Sequence, residues 1–230
     1  MRMLLQFQKG DIVRHLGLLD LQRTMQRALR RSGLPIGYSN GFNPHIVMTF
    51  ASALSSGIPG DAEILDVTLS AGACDVKEEE CMIAMNRVLP PALQVSRVRL
   101  VEERFPKASA ALEQAEYSIT LHGGDAEKIV ASIENFLQEE EIMAVRKTKR
   151  SETMVNIRPM IHLLEAQYDA QENRAYMKAR VSFVEAATLK PDVLLGALAQ
   201  FAKAEVPLHD IRRTCLLGMK EGVPTPLIDM

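Results

Sequence analysis

Hydrophobic and polar positions divide the 230-residue chain into a repeated order of strands and helices. Residues 3–8 (MLLQFQ) form a short apolar run and predict a first strand. Residues 16–31 carry Leu18, Leu21, Met25, Ala28 and Leu29 on one helical arc, and Gly33 with Pro35 ends the pattern. A loop is expected over 36–45, then a strand over 46–51. Residues 63–70 (EILDVTLS) alternate and predict a third strand. A helix is expected over 75–88, with Asp75 as its N-cap and Pro90-Pro91 beyond its end. Residues 93–101 predict a fourth strand. Strand, helix, strand, strand, helix, strand is the order of a ferredoxin-like unit.

Residues 102–115 change character and read as a linker, helical in part. The order of elements then starts again: strand 116–122, helix 126–138, an extended stretch over 143–147, and a long hairpin of 155–168 with 174–184. A helix over 191–202 with proline at its start and a last strand over 211–219 follow. The expected fold class is therefore α+β, with two tandem ferredoxin-like (βαββαβ) domains at 1–104 and 115–219 and a tail over 220–230.

Composition narrows the class. Hydrophobic residues make up 47% and charged residues 24%, which excludes a disordered, collagen-like or fibrous chain. No run approaches the ~20 apolar residues of a membrane span, so no membrane is expected. Residues 1–8 are too few for the apolar core of a signal peptide. Cys74, Cys81 and Cys215 are odd in number and far apart, so they read as reduced thiols of a cytoplasmic protein. Metal-binding cysteine pairs, a phosphate-binding P-loop and a dinucleotide fingerprint are all missing. No cofactor and no metal is expected.

Charge adds an asymmetry that the net value of −2 hides. Residues 1–50 hold seven Lys and Arg against two acids, Asp11 and Asp20. Four of the seven, Arg23, Arg27, Arg30 and Arg31, fall on the helix face opposite the apolar arc, with Asp20 one turn before Arg23. Guanidinium is planar and bidentate, which suits phosphate better than ammonium does. RNA binding, a protein interface and a solvated face all fit such a stripe.

The loop YSNGFNPH offers a second candidate. Asn40-Gly41 signals a tight turn. Tyr38 and Phe42 can stack unpaired bases, and Asn40, Asn43 and His45 can contact them. Alternatively, Phe42 packs on the core of a structural loop. His15 and His45 flank the helix unit; brought together with Tyr38, they would suffice for metal-independent RNA cleavage through acid–base chemistry. These three are the candidate catalytic residues, and satisfied structural histidines are the alternative.

The run KGDIVRHLGLLDLQRTMQRALRRSGLPIGYSNGFNPHIVMTFASALSSGIPGDAEILDV, residues 9–67, resembles the DUF2344 family of radical-SAM-associated proteins. The HLGLLDLQRTMQRALRR helix, the GFNPH loop and the SSGIPGDAEILDV turn carry the likeness, with IRRT at 211–214 in the second half. The family's helix start is similar to S-H-L-D, where this chain has His15 followed by LGLLD. Its loop carries a proline after the histidine, where this chain has Ile46. The resemblance implies a cobalamin-binding radical SAM protein as partner and a genomic setting near ribosomal proteins and a ribosome-associated ribonuclease. Tandem ferredoxin-like domains are also similar to the RNA-binding proteins of CRISPR RNA processing, by fold-level analogy. The leading expectation is a non-catalytic RNA-binding or substrate-presenting accessory subunit. The alternatives are a metal-independent ribonuclease of the CRISPR-RNA-processing type and a protein adaptor with no RNA contact.

Overall fold

The computed structural model describes residues 1–73, 75–147, 152–184 and 187–230; Cys74 lies outside the described residues. In chain order the elements are β1 (Arg2–Lys9), α1 (Leu18–Ser32), β2 (Met48–Phe50), β3 (Gly60–Thr68), α2 (Glu78–Asn86), β4 (Val95–Val101) and α3 (Ala108–Ala111). They continue with β5 (Gln114–His122), α4 (Ala126–Gln138), β6 (Met143–Lys147), β7 (Glu152–Asn156), β8 (Ile161–Asp169), β9 (Arg174–Ser182), α5 (Pro191–Phe201), β10 (Leu208–Lys220) and β11 (Val223–Pro226). The protein is mixed α/β, with a large, mostly antiparallel sheet. It divides into two compact units, one of Met1–Leu112 with Arg213–Met230, the other of Glu113–Arg212. The second unit is thus inserted in the sequence of the first, and β10 runs through the boundary.

In the first unit β1 pairs antiparallel with β3 on one side and β4 on the other. Along the far edge of β3, β2 pairs from Met48↔Val67 to Phe50↔Leu65, and β10 meets it at Arg213↔Gly60. Alternation puts Met3, Leu5 and Phe7 of β1 and Leu65 and Val67 of β3 on one face, where Leu21, Met25, Ala28 and Leu29 of α1 and Cys81 and Met85 of α2 join them in one core. Gly33 ends α1 in the left-handed conformation at φ 76°, which a residue without Cβ adopts freely.

Several expectations need correction. Leu18, on the apolar arc of α1, is 39% exposed, because the helix begins beyond the edge of its core. The helix expected from Asp75 starts at Glu78 with Lys77 as N-cap. The helical part expected within the linker is α3, whose Ala108 N–H donates to Asp66 Oδ2 at 3.3 Å. Residues 220–230 are not a tail: β11 pairs back on β10, and Leu227 and Ile228 are buried.

In the second unit the strand order is β10-β5-β9-β8. On β9, Ala175, Met177, Ala179 and Val181 are buried at every second residue, and α4 contacts β8 and β9 on the sheet. The long hairpin arm expected over 155–168 is two strands. A single helical turn at Arg158–Met160 separates them, because Pro159 lacks the N–H a strand would need. β7 pairs with β6 as a separate ribbon, from Met143↔Asn156 to Lys147↔Glu152.

Candidate nucleic-acid interface

Helix α1 carries the first part of the candidate site. Its inner side is held by Leu21, Met25, Ala28 and Leu29, and all four arginines of the stripe are exposed. Arg23 Nη1 lies 3.3 Å from Asp20 Oδ1, and Arg31 Nη2 donates to the Val88 carbonyl at 3.2 Å. Arg27 and Arg30 have no hydrogen-bond or ion-pair partner among the described residues. Arg30 and Arg31 also occupy the last turn, where a cation offsets the negative end of the helix dipole.

Six residues after α1 the chain enters the loop. Gly37 N–H donates to the Thr68 carbonyl at 2.8 Å and Val47 N–H to the Gly37 carbonyl at 3.1 Å. A bridge between Tyr38 and Ile46 closes the base. Inside it, Ser39 N–H donates to the His45 carbonyl at 2.9 Å. The Ser39 hydroxyl accepts from His45 N–H at 3.1 Å and contacts His45 Nδ1 at 2.8 Å. Which of the hydroxyl and Nδ1 donates in that contact is set by the ring's tautomer, and in either case the contact fixes the imidazole at Nδ1. Gly41, at φ 123°, makes the turn that carries Phe42 outward. Phe42 is 107% exposed, which overturns its packing on the core. Leaving such a ring in water instead of burying it forgoes about 1.5–3 kcal/mol. Tyr38, Asn40, Asn43, Pro44 and His45 are exposed beside it.

The structure does not bring the three candidate catalytic residues together. His15 lies before α1, where its carbonyl accepts from Ser56 Oγ at 3.1 Å and its ring faces Gly57. That is the Gly60 end of β3. The loop with Tyr38 and His45 leaves from the Thr68 end, and Gly60 to Thr68 spans about 26 Å of extended chain.

A cluster that the sequence reading did not single out lies inside the first unit. Arg213 and Glu63 are 1% and 3% exposed. Arg213 Nε donates to Glu63 Oε1 at 2.8 Å and Nη2 to Oε2, while Nη1 donates to Ser52 Oγ at 2.9 Å. Lys9, buried at 1% exposure, stands beside this pair. Burial pushes its ammonium below the ordinary 10.5, Glu63 opposes the shift and Arg213 adds to it. The signal was available: Lys9 follows Leu5 and Phe7 at core spacing on β1, as Glu63 precedes Leu65 and Val67 on β3. Arg213 is the third residue of the IRRT segment.

Fold and site together define a mixed α/β protein that exposes a guanidinium-bearing helix face and an aromatic loop from one unit. Residues 2–191 match the family model described as an uncharacterized protein conserved in bacteria, DUF2344, and the chain belongs to that family. No curated protein matches it. Among solved structures it is similar to a chain in a crystal structure of a Cbf5-Nop10-Gar1 complex, with TM-score 0.49 and 13% identity over 95% of this chain and 50% of that one. The protein thus spans about half the length of that structural relative. No helix among the described residues is long and apolar enough to cross a membrane.

Proposed function

We propose that the protein binds single-stranded RNA through α1 and the loop over 38–45. In this reading it is an RNA-binding or substrate-presenting accessory subunit of a cobalamin-binding radical SAM enzyme. The observation that supports RNA binding is that the first unit exposes both two guanidinium groups without a partner among the described residues, Arg27 and Arg30, and the full ring of Phe42. Guanidinium groups hold phosphates and an aromatic ring stacks a base, which are the two terms of single-strand affinity. Arg23 and Arg31 add charge on the same face, and Tyr38, Asn40, Asn43 and His45 are exposed in the loop that carries the ring. The radical SAM partner rests on the family resemblance alone. We read both units as ferredoxin-like modules; the orders β4-β1-β3 with β2 outside, and β10-β5-β9-β8, support this. Free thiols at Cys81 and Cys215 support action in the reducing cytoplasm.

A protein adaptor without RNA contact is the second reading. It is favoured by Ile12, Leu18 and Leu19, which are 94%, 39% and 68% exposed at or just before the start of α1. The separation of His15 from His45 gives the ribonuclease reading no support.

Replacing Arg27 and Arg30 together by Glu separates the two readings. Electrophoretic shift or fluorescence anisotropy with a labelled single-stranded RNA should lose binding, with the circular dichroism spectrum unchanged. Binding equal to that of the wild type would remove α1 from the interface.

A further inference from the structure

The second unit exposes a joined apolar surface where the ends of α4 and α5 meet β6. A groove of about 340 Å³ there is lined by Phe136, Met143, Ala197 and Phe201, with the exposed Glu139 and Glu141. Phe201, 38% exposed, is seated edge to face on the buried ring of Phe136, with centroids 5.4 Å apart. Met143 continues the surface onto the ribbon. Alternation puts Met143 and Val145 on one face of β6, and Val145 pairs with Met154 of β7. These three are 46%, 43% and 58% exposed, while Ile142 and Ala144 on the other face are buried. Single exposed apolar residues are ordinary, but a joined patch of four beside charged groups marks a binding surface.

The charge beside the patch is negative. Glu139 is the C-cap of α4 and Phe201 the last residue of α5, so the negative ends of two helix dipoles reach the groove. Glu139 and Glu141 add full charges there, and neither has a hydrogen-bond or ion-pair partner among the described residues. A carboxylate at a helix C-terminus is destabilising unless a cation meets it. The same field repels phosphate, so neither RNA nor an anionic membrane suits the patch. What the ribbon exposes is a face of side chains. Of the recurrent modes of peptide binding, an amphipathic helix laid in a groove uses side chains alone. Side chains on one face of β6 stand about 6.6 Å apart, close to the roughly 6 Å between i and i+4 anchors on a helix. Methionine adapts its shape to such a partner.

We propose that this patch docks a basic amphipathic helix of a partner protein. Its apolar side would lie on Phe201, Met143, Val145 and Met154, with lysine or arginine beside Glu139 and Glu141. The docking surface lies wholly in the second unit and the RNA reading uses the first, so either can fail without the other.

Three labelled peptides of about four helical turns test it on the full chain. One has leucine and lysine in helical period, one has the same composition scrambled, and one has leucine and glutamate in helical period. Fluorescence anisotropy gives the affinities, and methyl NMR follows Met143 and Met154. The leucine–lysine helix should bind saturably at one site and shift both methyls. The scrambled and the leucine–glutamate peptides should bind about tenfold more weakly or worse. Glu139→Lys with Glu141→Lys should cost about tenfold, from two lost ion pairs. Met143→Ser with Met154→Ser should cost at least as much, from two lost apolar anchors. All four residues are exposed, so both variants should keep the wild-type circular dichroism spectrum. Equal binding of the scrambled or the leucine–glutamate peptide would overturn the proposal, as would unmoved Met143 and Met154 methyls at saturation. Concentration-dependent shifts of those methyls in the protein alone would also overturn it, in favour of a second copy on the patch.

Discussion

Replacing Glu63 by Gln removes a carboxylate that faces two buried cations, Arg213 and Lys9. Breaking one partner of a buried ion pair costs about 3–5 kcal/mol, and the two partners here should differ. Without Arg213, Glu63 still has the Lys9 ammonium beside it. Arg213→Met therefore belongs at about 3 kcal/mol. Without the Glu63 charge, Arg213 and Lys9 face each other as like charges, and the Gln amide keeps one acceptor oxygen but turns its NH2 against the other guanidinium donor. Glu63→Gln belongs at about 5 kcal/mol. Because the chain has two units, one global unfolding free energy is ill-defined. Native-state amide exchange of Ile64, Leu65 and Val67 on β3 reads the first unit directly. Protection should fall roughly 150-fold in Arg213→Met and roughly 5,000-fold in Glu63→Gln, at 1.36 kcal/mol per factor of ten. Adding Lys9→Met to Glu63→Gln should restore part of the loss. Failure of Glu63→Gln alone to fold would be the same order taken to its limit. A Glu63→Gln cost below that of Arg213→Met, or both below about 1 kcal/mol, would refute the reasoning.

Three further outcomes follow from the same geometry. Lys9 takes its proton below 10.5 in the fold, so between that lowered value and 10.5 the unfolded chain binds more protons and stability rises with pH; Lys9→Met should flatten the rise in β3 exchange protection, and an unchanged slope would contradict it. Burial and the neighbouring Glu80 and Glu78 push the Cys81 thiol up to about 11. At pH 8 roughly one in a thousand is thiolate, so mass mapping after treatment with a thiol reagent should find Cys81 intact in the folded protein. Phe42→Ala should leave stability within about 0.5 kcal/mol and cost ~1–3 kcal/mol of RNA binding without altering its salt dependence.

Legibility in the sequence followed the range of the forces involved. Helix α1 was readable because Leu21, Met25, Ala28 and Leu29 repeat at helical spacing and Gly33 stops them. The exposure of Leu18 was not readable, since periodicity assigns a face and not where the covering sheet ends. Alternation carried the predicted strand of 155–168 straight through Pro159, where backbone chemistry breaks it. The last residues looked loose because Val223–Pro226 has two prolines and no alternation. Their strand depends on the two-residue turn Glu221-Gly222, both at positive φ of 53° and 80°, the geometry of a tight hairpin. For the candidate site, the arginine stripe and loop are local patterns, and the sequence displayed them. The ion cluster joins the first strand to the last long one, and no local window contains Lys9, Glu63 and Arg213 together.

The central claim is most directly tested by the affinity of the wild-type protein for single-stranded RNA across a range of salt concentrations. Each phosphate neutralised contributes a slope of about −0.7 in log K against log salt. Arg27 and Arg30 alone predict about −1.4, and all four arginines about −2.8. A slope in that interval, lost in the Arg27 and Arg30 double substitution, is the expected result. No salt-dependent RNA binding, alone or with the proposed radical SAM partner, would contradict the account.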